Sequence, residues 1–236
     1  MSTQRISFLS RILNTLVPPR CAICGRRLTV GEKVICGRCN LRLPRTYYEK
    51  NPYDNPMCKL FWGRFHVEKC SALFFYYPHT KSTNVIKQMK YYNHPEYGFQ
   101  LGVLIATQFM TVGFFDGITA VMPLPLARNR ERKRGYNQSR EIARGICSIV
   151  GLPMIDKAGS RSKYLDTQTH KSRQERAENV EHAFSLVNPD AFRGQHVLII
   201  DDVATTGATI TACAREIEKA GDVKISVVTA GLAGQS

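Results

Sequence analysis

The segment Val197-Leu198-Ile199-Ile200-Asp201-Asp202-Val203-Ala204-Thr205-Thr206-Gly207-Ala208-Thr209 constrains this chain more than any other stretch. Four apolar residues without alternation predict a strand buried on both faces, as the parallel strands of an α/β sheet are. Asp201 and Asp202 follow at the carboxyl end of that strand, where open α/β sheets place their ligands. Hydroxyls, a glycine and small residues come next, then a predicted helix from Ile210 to Ala220 with Gly221 as its stop. Strand, Thr/Gly loop and helix start together form an anion cradle, because free backbone N–H groups, hydroxyl donors and the positive end of the helix dipole converge. The two carboxylates would repel a phosphate; they suit sugar hydroxyls, or a divalent cation bound through oxygen. Phosphate at one end and a diol at the other describe a site for a ribose 5-phosphate. One helix cap needs only one Asp, and neither a G-x-x-x-x-G-K-[ST] loop nor a strand-following G-x-G-x-x-G is present.

This run resembles the 5-phosphoribosyl 1-pyrophosphate (PRPP) motif of the type I phosphoribosyltransferases. The resemblance implies Asp201 and Asp202 on the ribose hydroxyls, Thr205, Thr206, Gly207, Ala208 and Thr209 around the 5-phosphate, and Mg²⁺ accompanying PRPP.

Half of the eight cysteines fall into Cys21-Ala22-Ile23-Cys24 and Cys36-Gly37-Arg38-Cys39. Two C-x-x-C pairs at this separation match a closed, structural Zn²⁺ site of four thiolates. A disulfide framework would require an oxidising compartment, and a redox C-x-x-C usually occurs once, near a βαβ pattern. Gly25 and Gly37 permit the tight turns. Cys58 and Cys70 belong to no such pair, and Cys147 and Cys213 lie in apolar helical contexts; all four are expected to be structural.

Lys and Arg total 33 against 19 Asp and Glu, a formal charge of +14. Such an excess predicts attraction to polyanions, namely nucleic acid, a membrane surface or a heavily phosphorylated ligand; a basic surface serving solubility is the other use. Met1 to Val17 is amphipathic, with Ile6, Leu9, Ile12, Leu13 and Leu16 at helical spacing, and is expected to pack on the protein body. It lacks the continuous apolar core and cleavage site of a secretory signal, and no apolar run approaches the roughly 18–20 residues of a span. A cytoplasmic protein without stable membrane insertion is expected.

Three parts are expected: an N-terminal helix and zinc module over 1–48, a connector over 49–69 and an α/β domain over 70–236. Ser71 to Tyr77, Gly117 to Met122 and Lys224 to Thr229 read as further strands. Helices are predicted over Thr83 to Tyr91 (Val85, Ile86 and Met89 inward, Lys87 and Lys90 outward), Tyr97 to Thr111 and Asn137 to Val150. Alternating strands and helices indicate a parallel sheet flanked by helices. Two basic stretches stand out. Arg128, Arg130, Arg132, Lys133 and Arg134 lead into Gly135-Tyr136-Asn137-Gln138, with Arg130 and Lys133 expected on the outer face. Ser160 to Asn179 is a long polar segment holding Arg161, Lys163, Lys171, Arg173 and Arg176, which reads as a lid or a surface loop.

The order of these motifs is similar to that of the ComF/GntX family. It runs from the cysteine knot through Leu124-Pro125-Leu126, the basic run into Arg134-Gly135-Tyr136-Asn137-Gln138, Thr167-Gln168, Arg176, Asn179 and Ala183-Phe184 to the PRPP motif. The resemblance implies a zinc-ribbon-like module on a type I phosphoribosyltransferase-like domain, Gln168 at PRPP, Arg134 and Arg176 at the pyrophosphate, and a role in natural competence with single-stranded DNA as partner. Many relatives carry further C-x-x-C pairs where this chain has only Cys58 and Cys70, so a second zinc is not implied. Three readings remain: an Mg²⁺-dependent phosphoribosyltransferase with an unidentified acceptor, a DNA-handling module with PRPP only as ligand, and a zinc adaptor for DNA-uptake or recombination proteins.

Overall fold

The computed structural model describes residues 19–156, 159–161, 184–186 and 188–234. After the cysteine turns, a short helix α1 (Gly37–Leu41) and α2 (Pro56–Lys59) precede strand β1 (Cys70–Tyr76). Helices α3 (Asn84–Tyr91) and α4 (Pro95–Met110) lead to β2 (Ala120–Pro123), followed by α5 (Arg128–Arg134) and α6 (Gln138–Val150). The two-stranded antiparallel pair β3 (Gly159–Arg161) and β4 (Phe184–Leu186) comes next, and then β5 (His196–Ala204), α7 (Ala208–Glu218) and β6 (Lys224–Ala233). The main sheet is parallel throughout, in the order β1-β6-β5-β2.

The apolar run of β5 sits where its composition requires. Val197, Leu198, Ile199 and Ile200 are completely buried. Leu198 and Ile200 join the core formed with α3, α4 and α6, while Val197 and Ile199 join a second core with α2 and α7. Helices therefore cover both faces, as expected of an all-parallel sheet. On the first face α4 and α6 cross at unusually close range: a Cβ on Gly145 would lie 2.0 Å from the Phe99 carbonyl oxygen, and one on Gly102 would lie 2.0 Å from that of Ile142. Only hydrogen fits there.

Both sheet edges are covered, which removes templates for unwanted pairing. Along β1 the segment after α1 supplies an Arg45–Phe74 bridge, and the Phe75 N–H donates to the Pro44 carbonyl at 2.8 Å. Along β2, the Val121 N–H donates to the Pro153 carbonyl and the Ile155 N–H to the Val121 carbonyl, both at 2.9 Å. Tyr48 anchors the segment after α1 edge-on to Phe75, with ring centroids 5.8 Å apart. The front segment is not insulated from the rest. Cys21, Ala22, Ile23, Val34, Cys36 and Leu43 belong to the same core as α3, α4 and α6, and the Asn84 side-chain amide donates to the Ile23 carbonyl at 3.2 Å.

Several boundaries move for identifiable reasons. β6 continues past Thr229 to Ala233 because it is paired on both sides, with Phe74 and Val203 both opposite Gly231. β5 likewise runs through Asp201 and Asp202 to Ala204. α7 begins at Ala208, two residues before the expected Ile210, and the chain still turns at Gly221. Helix α5 has no apolar period from which it could be predicted; Gly135, at φ +79°, ends it in the left-handed conformation that glycine adopts without strain. Cys58, Cys70 and Cys213 are buried and Cys147 half-buried, as expected of structural thiols. The N-terminal amphipathic stretch, Met1 to Val17, lies outside the described residues, and so does most of the Ser160–Asn179 segment. Among the described residues no helix is long and apolar enough to cross a membrane.

Candidate functional site

The cleft is assembled at the carboxyl ends of β2 and β5. These strands pair in register, Pro123 opposite Ile200, and the Leu124 N–H donates to the Ile200 carbonyl at 2.8 Å, so the Leu124-Pro125-Leu126 loop leaves beside Asp201. Asn137 then joins this loop to α6. Its side-chain amide donates to the Leu124 carbonyl at 3.0 Å, and its Oδ1 accepts the Ser139 N–H at 3.0 Å, capping the helix. Capping brings Ser139 to the acidic pair: its hydroxyl donates to Asp201 Oδ1 at 3.0 Å, and the Asp202 N–H donates to the same oxygen at 2.8 Å. From the opposite wall Lys90 pairs with Asp202, Nζ to Oδ1 at 2.9 Å. Arg134 ends α5 and donates to Gln138 Oε1 at 2.8 Å. Lys90, Arg130, Arg134, Ser139, Thr209 and both aspartates line one cavity of about 180 Å³.

Burial and, next, the charge of Asp202 push the Asp201 carboxyl up to about 7.

The loop from β5 to α7 contains Thr205, Thr206 and Gly207. Gly207 has φ +72°, and a Cβ there would lie 2.7 Å from Phe61 Cε1, so both backbone conformation and space demand glycine. Arg64 braces the loop by donating to the Thr206 carbonyl at 2.8 Å. Thr205 and Thr206 are exposed, and Ala208 and Thr209 form the first turn of the eleven-residue helix α7, whose N-terminus favours anions. The loop residues do not all face one space. Thr209 lines the acidic cleft, while Thr205 lines a separate cavity of about 210 Å³ with Tyr48, Phe75 and Leu232.

Some expectations change. Lys90 does not point outward: it lies one helical turn after the buried Ile86 and reaches into the cleft. Arg130, expected on the outer face, lines the cleft as well, because α5 folds back over it. Lys133 is exposed and lies against a neighbouring cavity. Gln168 and Arg176 lie outside the described residues. Ser139 gave no sequence signal beyond following the Asn137 cap. The i, i+4 relation of Ile86 and Lys90 is the signal that could have identified Lys90.

At the front, the sulfur atoms of Cys21, Cys24, Cys36 and Cys39 all lie within 4.8 Å of one another, with Cys24 and Cys36 at 3.8 Å. The Cys36 N–H donates to Cys21 Sγ at 3.3 Å. Gly25 occupies a left-handed turn (φ +73°), as the expected turn requires, whereas Gly37 simply opens α1. Four converging sulfurs can hold a metal ion. This cluster and the acidic cleft are separate sites with no lining residue in common.

Residues 111–235 match the family model described as phosphoribosyl transferase domain. Competence protein F of Haemophilus influenzae is 33% identical over 109 residues, covering 46% of this chain and 48% of that protein. DNA utilization protein YhgH of Escherichia coli K12 is 26% identical over 216 residues, covering 88% and 87% respectively. The chain thus spans about half the length of the first relative and most of the second. Among solved structures, a glutamine PRPP amidotransferase from B. subtilis overlaps 56% of this chain and 26% of its own at 19% identity, with a TM-score of only 0.39. The parallel sheet, the β5–loop–α7 unit and the matched residues agree: the chain belongs to the phosphoribosyl transferase domain family, as a ComF-type member with a four-cysteine cluster ahead of that domain.

Proposed function

We propose that the cleft binds PRPP with Mg²⁺ and that the protein acts in DNA uptake and the handling of single-stranded DNA in the cytoplasm. The observation that carries this reading is the juxtaposition of Asp201 and Asp202 with Lys90, Arg130 and Arg134 in one cavity, at the helix start that follows β5. In this reading the paired carboxylates hold the ribose hydroxyls, and the loop from Thr205 through Thr206, Gly207 and Ala208 to Thr209 takes the 5-phosphate from its Thr209 end, Thr205 being turned to the separate cavity. Arg134 and Arg176 are assigned to the pyrophosphate, and Gln168 to PRPP. Ser139 and the Asp202 N–H fix the Asp201 oxygen, so the diol meets an already oriented acceptor. Lys90 neutralises Asp202 until a ligand arrives, and its cation then lies beside the departing charge. Oxygen donors of this kind suit Mg²⁺, which would enter on PRPP and neutralise its pyrophosphate.

The cysteine cluster is assigned to Zn²⁺. A tetrahedron with Zn–S bonds of about 2.3 Å has edges of about 3.8 Å, the spacing of Cys24 and Cys36. Four thiolates leave no open position, so the metal is structural.

Support for the DNA role comes from the +14 charge and from relatives named for competence and DNA utilization. A second reading, favoured by that same charge, keeps PRPP as a bound ligand of a DNA-binding or adaptor protein without turnover. A thermal melt with PRPP and Mg²⁺ tests the shared part. Ligand at about one hundred times its Kd adds about 2.7 kcal/mol, several degrees of melting temperature; no shift refutes PRPP binding. Pyrophosphate release on addition of a base panel or single-stranded DNA supports the enzyme, and a shift without release supports the second reading.

A further inference from the structure

Beside the acidic cleft lies a second cavity, about 360 Å³, lined by Lys90, Tyr91, Asn93, Arg130, Lys133 and Arg134. Lys90, Arg130 and Arg134 line both cavities, so the two are neighbours across a shared wall of cations. Among the described residues, four cationic side chains and no carboxylate line the second space. A pocket of this composition selects a polyanion.

Charge alone would suit pyrophosphate, but two other lining groups are not needed for it. Tyr91, which lines the cavity, is 71% exposed, so its ring is available to a ligand there. Asn93, in a left-handed turn (φ +54°), adds an amide able to donate and accept. An aromatic face with an amide is what a nucleobase uses, and cations are what its phosphate uses. The volume falls at the lower end of small-ligand pockets, roughly 300–1,000 Å³, a size for one nucleotide unit and not for a duplex.

We propose that this cavity is a nucleotide site. It takes a nucleoside 5′-phosphate, free or at the end of a single strand, with the phosphate on Lys133 and Arg130 and the base on Tyr91. The proposal rests on the PRPP reading in one respect only: it makes the nucleotide the direct neighbour of bound PRPP, with Lys90 between them.

The test is a calorimetric titration of the full chain with dAMP, deoxyadenosine, inorganic pyrophosphate and, separately, PRPP with Mg²⁺. Lys133→Ala and Tyr91→Ala change residues that line the second cavity and not the first, and both side chains are exposed, so the fold should persist. We expect dAMP to bind more tightly than deoxyadenosine or pyrophosphate and each variant to weaken it about tenfold, with PRPP affinity changed less than about twofold. Tighter binding of a 5′-phosphorylated dA oligomer than of both its 5′-hydroxyl form and dAMP would assign the site to a strand end; tighter binding of dAMP would assign it to the free nucleotide. Pyrophosphate binding as tightly as dAMP, with Tyr91→Ala inert, would make the cavity an extension of the PRPP site and overturn the proposal. Equal losses of PRPP and dAMP in Lys133→Ala would overturn it too. If PRPP fails to bind while dAMP shows the expected dependence, the PRPP reading falls and the nucleotide site stands; the converse result removes only the nucleotide site.

Discussion

Replacing Asp201 by Asn should make the protein more stable at pH 8 while spoiling its ligand site. In the folded state burial and the Asp202 charge hold the Asp201 proton to about pH 7, whereas an ordinary aspartate releases it near 3.8. Between those values the native state carries a proton that the unfolded chain does not. Stability therefore falls as pH rises through that window, at up to about 1.4 kcal/mol per pH unit, and levels off above 7. The substituted amide cannot ionise, and its Oδ1 can still accept from Ser139 and from the Asp202 N–H. The stability difference, variant minus wild type, should thus grow by about 2.6 kcal/mol from pH 5 to pH 8. Taking the difference cancels groups common to both proteins, including His196, whose burial lowers its pKa and acts in the opposite sense. Urea melts at half-unit pH steps supply the measurement. A difference independent of pH, or one in which wild type gains as pH rises, would refute the assignment of a strained acidic pair.

Lys90→Gln leaves Asp202 without its cation, so it should lower stability at pH 8 by about 1–2 kcal/mol and weaken PRPP binding; urea melts and calorimetry read both effects. Protein purified without chelator should contain one zinc per chain by elemental analysis, and Cys24→Ser should lose it. Because Cys21, Ile23 and Cys36 share the core of α3 and α4, that loss should lower the unfolding midpoint of the whole chain and not of a front module alone. Gly145→Ala places a methyl 2.0 Å from the Phe99 carbonyl oxygen and should cost about 1–3 kcal/mol in a denaturant melt.

What could be read in advance follows from how local each signal is. The uninterrupted apolar run at 197–200 identified a central parallel strand because burial on both faces leaves no room for alternation. The paired C-x-x-C spacing identified the cysteine cluster because its turns are short-range. Lys90 was missed because a lysine in the last turn of an amphipathic helix ordinarily faces water; its i, i+4 relation to Ile86 marks the inward face, and the fold supplies Asp202 as its partner. Ser139 depends on Asn137 joining the 124–126 loop to α6, a tertiary contact with no periodicity to reveal it. Helix α5 was invisible for the opposite reason: seven polar residues carry no apolar face, and their helix is set by Gly135 and by folding over the cleft. The front segment read as a separate module because its cysteine spacing is self-contained, although Ile23 and Leu43 are buried in the main core.

The central claim is that Asp201 and Asp202 hold the ribose of PRPP, and calorimetric titration of Mg²⁺–PRPP into wild type and the Asp201→Asn/Asp202→Asn double variant tests it most directly. The account predicts one site per wild-type chain, and loss of measurable binding in a double variant that still unfolds cooperatively. Unchanged affinity in the folded double variant would contradict it.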